Sequence, residues 1–291
     1  MILNKKFIKL FVVAIKIAIH KKQRWIPPFV GMMVFMFTTT VYAGAWTQNS
    51  GKLLLIQNSS FYYTDKFFDE SGKKRQLNGY YQKYELNPYV EYGLSNDITI
   101  GANVFLDRSV QVDLQNATVA QNYGVGDSEF FIRKQLYKDS GFAVAIEPMI
   151  KLPSLTNSKK QPQIGSRYFD SAITISGGYG FSEHFIEVSG TYNHRFGTPN
   201  DQLKLAATAG FTVAENWQIM PQVFITKRTN RASLSSFTQS SSDDYNLTKL
   251  QLSAIYKINN NIAMQGAFFS NVAGRNVGDG DGVIISIHKS F

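Results

Sequence analysis

The chain has 291 residues, with 30 lysines and arginines, 21 aspartates and glutamates and a formal net charge of +9. Seven of the basic residues and no acidic residue lie in residues 1–43, so the rest has 23 basic and 21 acidic residues, a net of +2. A near-neutral body argues against nucleic acid as a partner, and the absence of cysteine excludes disulfides and thiol chemistry.

Residues 1–43 have the organisation of an export signal. A lysine-rich start is followed by an apolar run at 29–36 and by the small or modest residues Val41 and Ala43. We expect a cleaved signal peptide, with cleavage after Ala43, which leaves 44–291 as the mature chain.

Two alternatives compete with a cleaved signal. A start at Met32 or Met33 would lack the basic segment that a signal needs. An uncleaved anchor over 7–43 would be interrupted by the basic cluster at 21–24 and by the two prolines that follow it.

The mature chain contains about twelve stretches in which apolar and polar residues alternate. This pattern is typical of membrane β-barrels, in which every second side chain faces lipid. The predicted strands cover 52–63, 80–92, 97–107, 127–137, 141–152, 168–181, 185–196, 202–213, 217–228, 245–258, 261–271 and 282–291. We therefore expect an all-β fold, a transmembrane antiparallel up-and-down β-barrel of about 12 strands in the bacterial outer membrane.

Short and long connections alternate along the predicted strands. The longer polar loops are 64–79, 108–126, 153–167, 229–244 and 272–281, and 197–201 is a short one on the same side. Outer-membrane barrels have short periplasmic turns and longer external loops, an asymmetry that a soluble β-sandwich does not require. A soluble barrel with its apolar face inward is the alternative that alternation alone leaves open.

Prolines and aromatic residues add detail to the strand map. Pro88, Pro148 and Pro221 lie inside predicted strands, and we interpret them as bulges or local bends because a closed barrel has no free edge. Aromatic residues near predicted strand ends indicate interfacial girdles. They are Phe61, Tyr62, Tyr63, Tyr92, Tyr137, Tyr168, Phe169, Phe181, Phe185, Phe196, Trp217 and Tyr245.

The chain ends in Phe291, on the last predicted strand. A terminal aromatic on the final strand serves as the assembly signal of outer-membrane barrels, so we expect the barrel-assembly machinery and outer-membrane lipid as partners. Ser286 and Lys289 depart from the usual final strand, where glycine and an apolar residue are common. Lys289 lies near the predicted periplasmic rim, where a long side chain can extend to water.

If the apolar positions face lipid, the alternate positions line the interior. The charged candidates are Lys83, Glu85, Glu91, Glu129, Arg133, Glu147, Lys151, Glu187, Arg195 and Lys204. Their mixed signs favour ion pairs that brace a narrow lumen over a one-signed selectivity ring. Twelve strands lie between filled eight-stranded barrels and open sixteen-stranded channels. We therefore expect a constricted passage, occluded in part by a long loop or by residues 44–51.

We find no catalytic constellation in the sequence. The mature chain has His184, His194 and His288, and none has the nucleophile context that an enzyme needs. By alternation His194 faces lipid. The acidic loop around Asp279 and Asp281 lacks the length and ligand count of an EF-hand, so we predict no metal and no cofactor.

Four motifs carry a family resemblance: GAWT at 44–47, GKLL at 51–54, YTDKFFD at 63–69 and YELNPYVEYGL at 84–94. They resemble the outer-membrane β-barrel transporter-like family named after the MetA pathway of phenol degradation. The resemblance implies a barrel that passes small apolar or aromatic molecules. The alternative function is a structural or surface-interaction barrel with a plugged lumen.

Overall fold

The structure is a computed structural model that describes residues 44–156, 160–197, 199–229 and 244–291, and the predicted signal peptide lies outside these residues. The described part contains thirteen β-strands. They are β1 (Leu53–Phe68), β2 (Lys74–Ser95), β3 (Ile98–Asp113), β4 (Thr118–Asp139), β5 (Phe142–Leu152), β6 (Asp170–Phe181), β7 (His184–Arg195), β8 (Gln202–Ala214), β9 (Trp217–Arg228), β10 (Asn246–Lys257), β11 (Ile262–Arg275), β12 (Val277–Gly278) and β13 (Asp281–Ser290). Within the described ranges, no helix is long and apolar enough to span a membrane.

The strands form one closed antiparallel sheet. Consecutive strands from β1 to β11 pair with one another, and β13 pairs with both β11 and β1. The short β12 pairs with the far end of β1 and is an extra strand beside a twelve-stranded barrel. The predicted fold class is confirmed. We call the end of the barrel that holds the short turns, Leu53 and Ser290 the turn end, and the opposite end the loop end.

The outer face of the barrel is apolar. Side chains such as Val188, Leu205 and Ile285 point outward, and each has more than half of its area exposed. The alternate positions on the same strands are buried and mostly polar, for example Glu187 on β7 and Ser286 on β13. A soluble barrel would place its apolar face inside, so this arrangement fits a barrel whose exterior contacts lipid.

Three of the predicted external loops are largely strand. In the predicted loop 272–281, only residues 276, 279 and 280 lie outside β11, β12 and β13. The predicted loops 64–79 and 108–126 shrink to 69–73 and 114–117, because β1 to β4 continue through them. A strand of 22 residues such as β2 is about 70 Å long, whereas the apolar band of a barrel is about 25 Å tall. These strands therefore extend beyond the lipid, where polar residues such as Arg108 interrupt the apolar outer face and the alternation weakens.

Each proline interrupts the hydrogen-bond ladder on one side of its strand, and the register on that side does not shift at the proline. β2 and β3 pair at Leu86 with Leu106 and resume at Tyr89 with Asn103, so the two positions at Asn87 and Pro88 are skipped. The ladders beside Pro148 and Pro221 show the same two-position gap. Proline lacks the N–H that one neighbour needs, and the ladder on its other side stays intact. The interpretation as bulges is wrong at these positions, and the alternative of local bends stays a prediction.

Part of the predicted aromatic girdle faces inward. Tyr63, Tyr92 and Trp217 are exposed on the outer face, as expected. Phe185 is 2% exposed and lies on the interior face of β7 together with Glu187. Tyr62 is likewise on the interior face, where it contacts other aromatic rings.

Candidate functional site

Residues 44–51 enter the barrel at the turn end, and we call this segment the plug. Residues 44–48 are buried or half-buried inside the barrel, and residues 49–51 are exposed at its rim. The side-chain amide of Gln135 donates to the carbonyl oxygen of Ala45 at 2.8 Å. The hydroxyl of Thr47 donates to the carbonyl oxygen of Asn96 at 2.7 Å. The plug contacts interior positions on β2, β3, β4, β6 and β7, so it crosses the lumen.

An aromatic side chain anchors the plug. Trp46 meets the ring of Phe185 edge-on, with ring centroids 6.2 Å apart. It packs against a buried apolar cluster. The cluster consists of Leu54, Ile56, Phe185, Met220 and Ile255, with Tyr89 and Ala263 at its margin. Gly178 has no room for a side chain, because a Cβ there would lie 2.2 Å from the Trp46 ring.

An ion cluster lies against the plug. The guanidinium of Arg133 is 2.8 Å from Glu91 and 2.7 Å from Glu147. It also donates to the carbonyl oxygen of Trp46 at 3.3 Å. The side-chain amide of Gln48 donates to Glu91 at 2.6 Å. Three of the sequence candidates therefore meet at one place and bind the plug through its backbone and a side chain.

Glu187 holds the first residues of the plug. Its carboxylate accepts a hydrogen bond from the backbone N–H of Ala45 at 3.2 Å, and the N–H of Gly44 is directed to it as well. Glu187 is 9% exposed.

Two further ion networks occupy the interior. Lys83 is 2.6 Å from Glu85 and 3.1 Å from Asp107. Lys151 is 3.0 Å from Asp170, which is also 3.6 Å from Arg195.

The remaining two charged candidates lie between these networks. Glu129 accepts a hydrogen bond from the side-chain amide of Asn103 at 3.1 Å. Lys204, on β8, interacts electrostatically with Glu129 and Asp170. The ten sequence candidates thus all take part in interior contacts, and their role in passage is a proposal.

Sequence reasoning missed three carboxylates of these networks. Asp107 and Asp170 are described above, and Asp127 lies 3.3 Å from Lys151. Asp107 has the same parity as Asn103, so alternation through the whole of β3 would have placed it inside. Asp107 is the last residue of the predicted strand 97–107, beyond the positions at which apolar and polar residues clearly alternate.

An aromatic cluster lines the interior toward the loop end. It consists of Tyr62, Tyr81, Phe224 and Phe269. Tyr62 stacks on Phe269 with centroids 6.1 Å apart and lies 6.3 Å from Tyr81. The ammonium of Lys249 is 4.5 Å from the Phe224 centroid and 5.2 Å from that of Phe269. The sequence did not predict this cluster, because inward-facing and outward-facing aromatic residues such as Tyr62 and Tyr63 are adjacent at the strand ends.

Of the other candidate features, His288 is buried on the interior face of β13, and His194 and Asp279 make polar contacts of their own. His194 is on the outer face, as alternation predicted, and its Nδ1 is 3.0 Å from Asp201. Asp279 pairs with Lys74 at 2.8 Å. Within the described part of the chain, no three His, Cys, Asp or Glu side chains are grouped to hold a metal ion.

The outer wall also carries an apolar groove of about 810 Å³. Its lining includes Val90, Ile132 and Ile150, which point away from the lumen, and its surface is almost entirely apolar. This groove faces the lipid side and is separate from the plug.

The terminal residue closes the sheet at the turn end. The backbone N–H of Phe291 donates to the carbonyl oxygen of Leu53 at 2.9 Å. Its ring is about half exposed on the outer face, and the ammonium of Lys289 lies 4.5 Å from the ring centroid.

Comparison with known proteins identifies the fold and no family. No protein-family model matches the chain, and no curated protein matches it. Among solved structures, an outer-membrane channel from Pseudomonas putida F1 is 12% identical, with a TM-score of 0.70 over 87% of this chain and 100% of that chain. The NanC porin is 8% identical, with a TM-score of 0.51 over 81% of this chain and 98% of that chain. At these identities the similarity shows an outer-membrane barrel fold, and the family resemblance of the four motifs stays a prediction.

Proposed function

We propose that this chain is an outer-membrane channel for small molecules and that the plug closes it at the turn end, which faces the periplasm. The observation that carries the proposal is the plug itself, a segment whose first five residues lie inside a closed barrel with an apolar exterior. In this proposal the partners are outer-membrane lipid, the barrel-assembly machinery and small solutes.

The size of the barrel supports closure by the plug. Twelve strands spaced about 4.8 Å apart and tilted by about 40° enclose a backbone cylinder about 24 Å across. Interior side chains reduce this width, but they leave room for an extended segment at the level of Ala45 and Trp46. Displacing that segment would leave a passage lined by Arg133, Glu91 and Glu147.

The aromatic cluster supports small aromatic or apolar molecules as the solutes. Aromatic rings attract other rings by stacking and edge contacts worth about 0.5–1.5 kcal/mol beyond burial. The ammonium of Lys249 adds a positive charge beside Phe224 and Phe269. A small aromatic solute that enters from the loop end meets these rings before it reaches the plug.

Solute block of single-channel current tests this assignment. The refolded mature chain is placed in a planar bilayer, and phenol or cyclohexanol is added to the loop-end side. We expect phenol to block more strongly, and Phe269→Ala to remove that preference. Phe268→Ala is the matched control, because the neighbouring ring points outward and is 54% exposed. Equal block by both solutes in the unsubstituted chain contradicts the aromatic assignment.

A structural or surface-interaction barrel with a permanent plug is the second candidate. The many hydrogen bonds of the plug, from Ala45 to Ser50, favour it. Such a barrel would show no current steps while the plug is present, whereas a channel closed by a movable plug would show rare openings.

A further inference from the structure

A buried carboxylate lies against the start of the plug. Glu187 is almost fully buried, and the backbone N–H groups of Gly44 and Ala45 point to its carboxylate. A Cβ built on Gly44 would lie 3.6 Å from a carboxylate oxygen of Glu187 and 3.2 Å from the hydroxyl oxygen of Ser176. The side chains of Glu187 and Ser176 therefore both lie next to Gly44.

This part of the interior has more carboxylates than cations. Arg133 already forms ion pairs with Glu91 and Glu147, and its charge also attracts a third carboxylate, that of Glu187. Among the described residues, no lysine or arginine nitrogen lies within 4.0 Å of the Glu187 carboxylate. A buried carboxylate without a cation is costly, and neutral amide donors offset only part of that cost.

We propose that hydrolysis of the Ala43–Gly44 peptide bond leaves the α-ammonium group of Gly44 ion-paired with Glu187, and that this pair fastens the plug. The export peptidase consumes one water, so that Ala43 gains a carboxylate and Gly44 an amine, which takes up a proton near neutral pH. The ammonium then has three donors, enough for Glu187 and the hydroxyl of Ser176. The proposal rests on the expected cleavage site and on the position of the plug, and it does not depend on conduction.

Amine labelling of the protein exported from the full-length precursor tests the proposal. Mass spectrometry first identifies the mature N-terminus, which we expect at Gly44. The folded protein in detergent is then reductively methylated at pH 7, and the Gly44 α-amine is compared with the exposed ε-amine of Lys52. A free α-amine reacts faster than a lysine because its pKa is about 8 rather than about 10.4. Protection by the ion pair reverses this order, with the α-amine at least about tenfold slower than Lys52.

Two variants separate the ion pair from general burial. Glu187→Gln keeps the size of the side chain and removes its charge, and we expect the α-amine to react at least about tenfold faster than in the unsubstituted protein. Glu129→Gln is the matched control, since that carboxylate bonds Asn103 instead of the plug, and it should leave the α-amine protected. Heat-dependent migration on gels verifies that each barrel is folded.

A second perturbation leaves Glu187 intact. One alanine inserted between Gly44 and Ala45 keeps the cleavage site and moves the amine by about 3.5 Å. We expect this α-amine to label rapidly. The proposal is overturned if the mature chain starts elsewhere, if the native α-amine labels as fast as Lys52, or if protection persists in both the Glu187→Gln and insertion variants.

Discussion

Trp46→Ala should open the channel by loosening the plug. Trp46 contacts Phe185 and the apolar cluster of the turn end, and these contacts exist only while the plug is inside. Replacing a buried Trp by Ala costs about 3–5 kcal/mol, and we take about 3 because Trp46 is partly exposed. Each 1.4 kcal/mol is about a factor of ten in an equilibrium constant, so the ratio of open to closed states should rise about 100-fold.

Single-channel recording measures this ratio directly as the open probability. Trp217→Ala is the matched control, because Trp217 is 46% exposed on the outer face, where it packs against Tyr256 with centroids 5.0 Å apart. We expect the control to open as rarely as the unsubstituted chain. An open probability for folded Trp46→Ala within about threefold of the unsubstituted chain would refute anchoring of the plug by this side chain.

Three other predictions test the plug, the terminus and a loop. An ideal Cβ on Gly44 lies 3.9 Å from the Cβ of Ser176, close to the roughly 3.8 Å between the Cβ atoms of a disulfide. In this cysteine-free chain, the double substitution Gly44→Cys and Ser176→Cys should therefore silence the channel when oxidised, and reductant should restore the rare openings. Equal conduction in the oxidised and reduced states contradicts closure by the plug. Deleting Phe291 should lower the folded fraction in the outer membrane severalfold while refolding in detergent is unchanged, and equal amounts in the membrane would remove its signal role. Hydrogen bonds, of which that from the Ser71 side chain has the greatest effect, hold the pKa of Asp69 below its usual range. The ionised carboxylate therefore stabilises its hairpin above a pH of about 3.9, and this stabilisation is lost as the pH falls. Carboxyl NMR should show the Asp69 midpoint rising in Ser71→Ala, and an ordinary midpoint in both proteins would contradict this.

The strands could be predicted from sequence because lipid imposes a local rule. Every second residue of a membrane strand must be apolar, so the alternation along residues 98–106 and similar segments marks both the strand and its two faces. The same rule placed Glu91, Arg133 and Glu147 on one face. It failed above the lipid, where the extensions of β1 to β4 carry polar and apolar residues on the same face and ladder hydrogen bonds define the strands.

The plug could be suggested but not located from sequence. Residues 44–51 show no periodicity, and their position depends on partners such as Gln135 and Glu187, which lie 90 and 142 residues away in the chain. Pairing of Arg133 with two carboxylates likewise depends on how far neighbouring strands are staggered. Alternation gives the face of a residue, but it does not give its height in the barrel.

Planar-bilayer conductance of the mature chain, with and without residues 44–50, tests the central claim most directly. A channel closed by its own N-terminal segment should show rare openings when the segment is present. Without the segment, the folded barrel should show frequent, reproducible steps. Silence of both folded proteins would mean that side chains fill the lumen, and equal conduction by both would mean that the segment does not close it; either result contradicts the account.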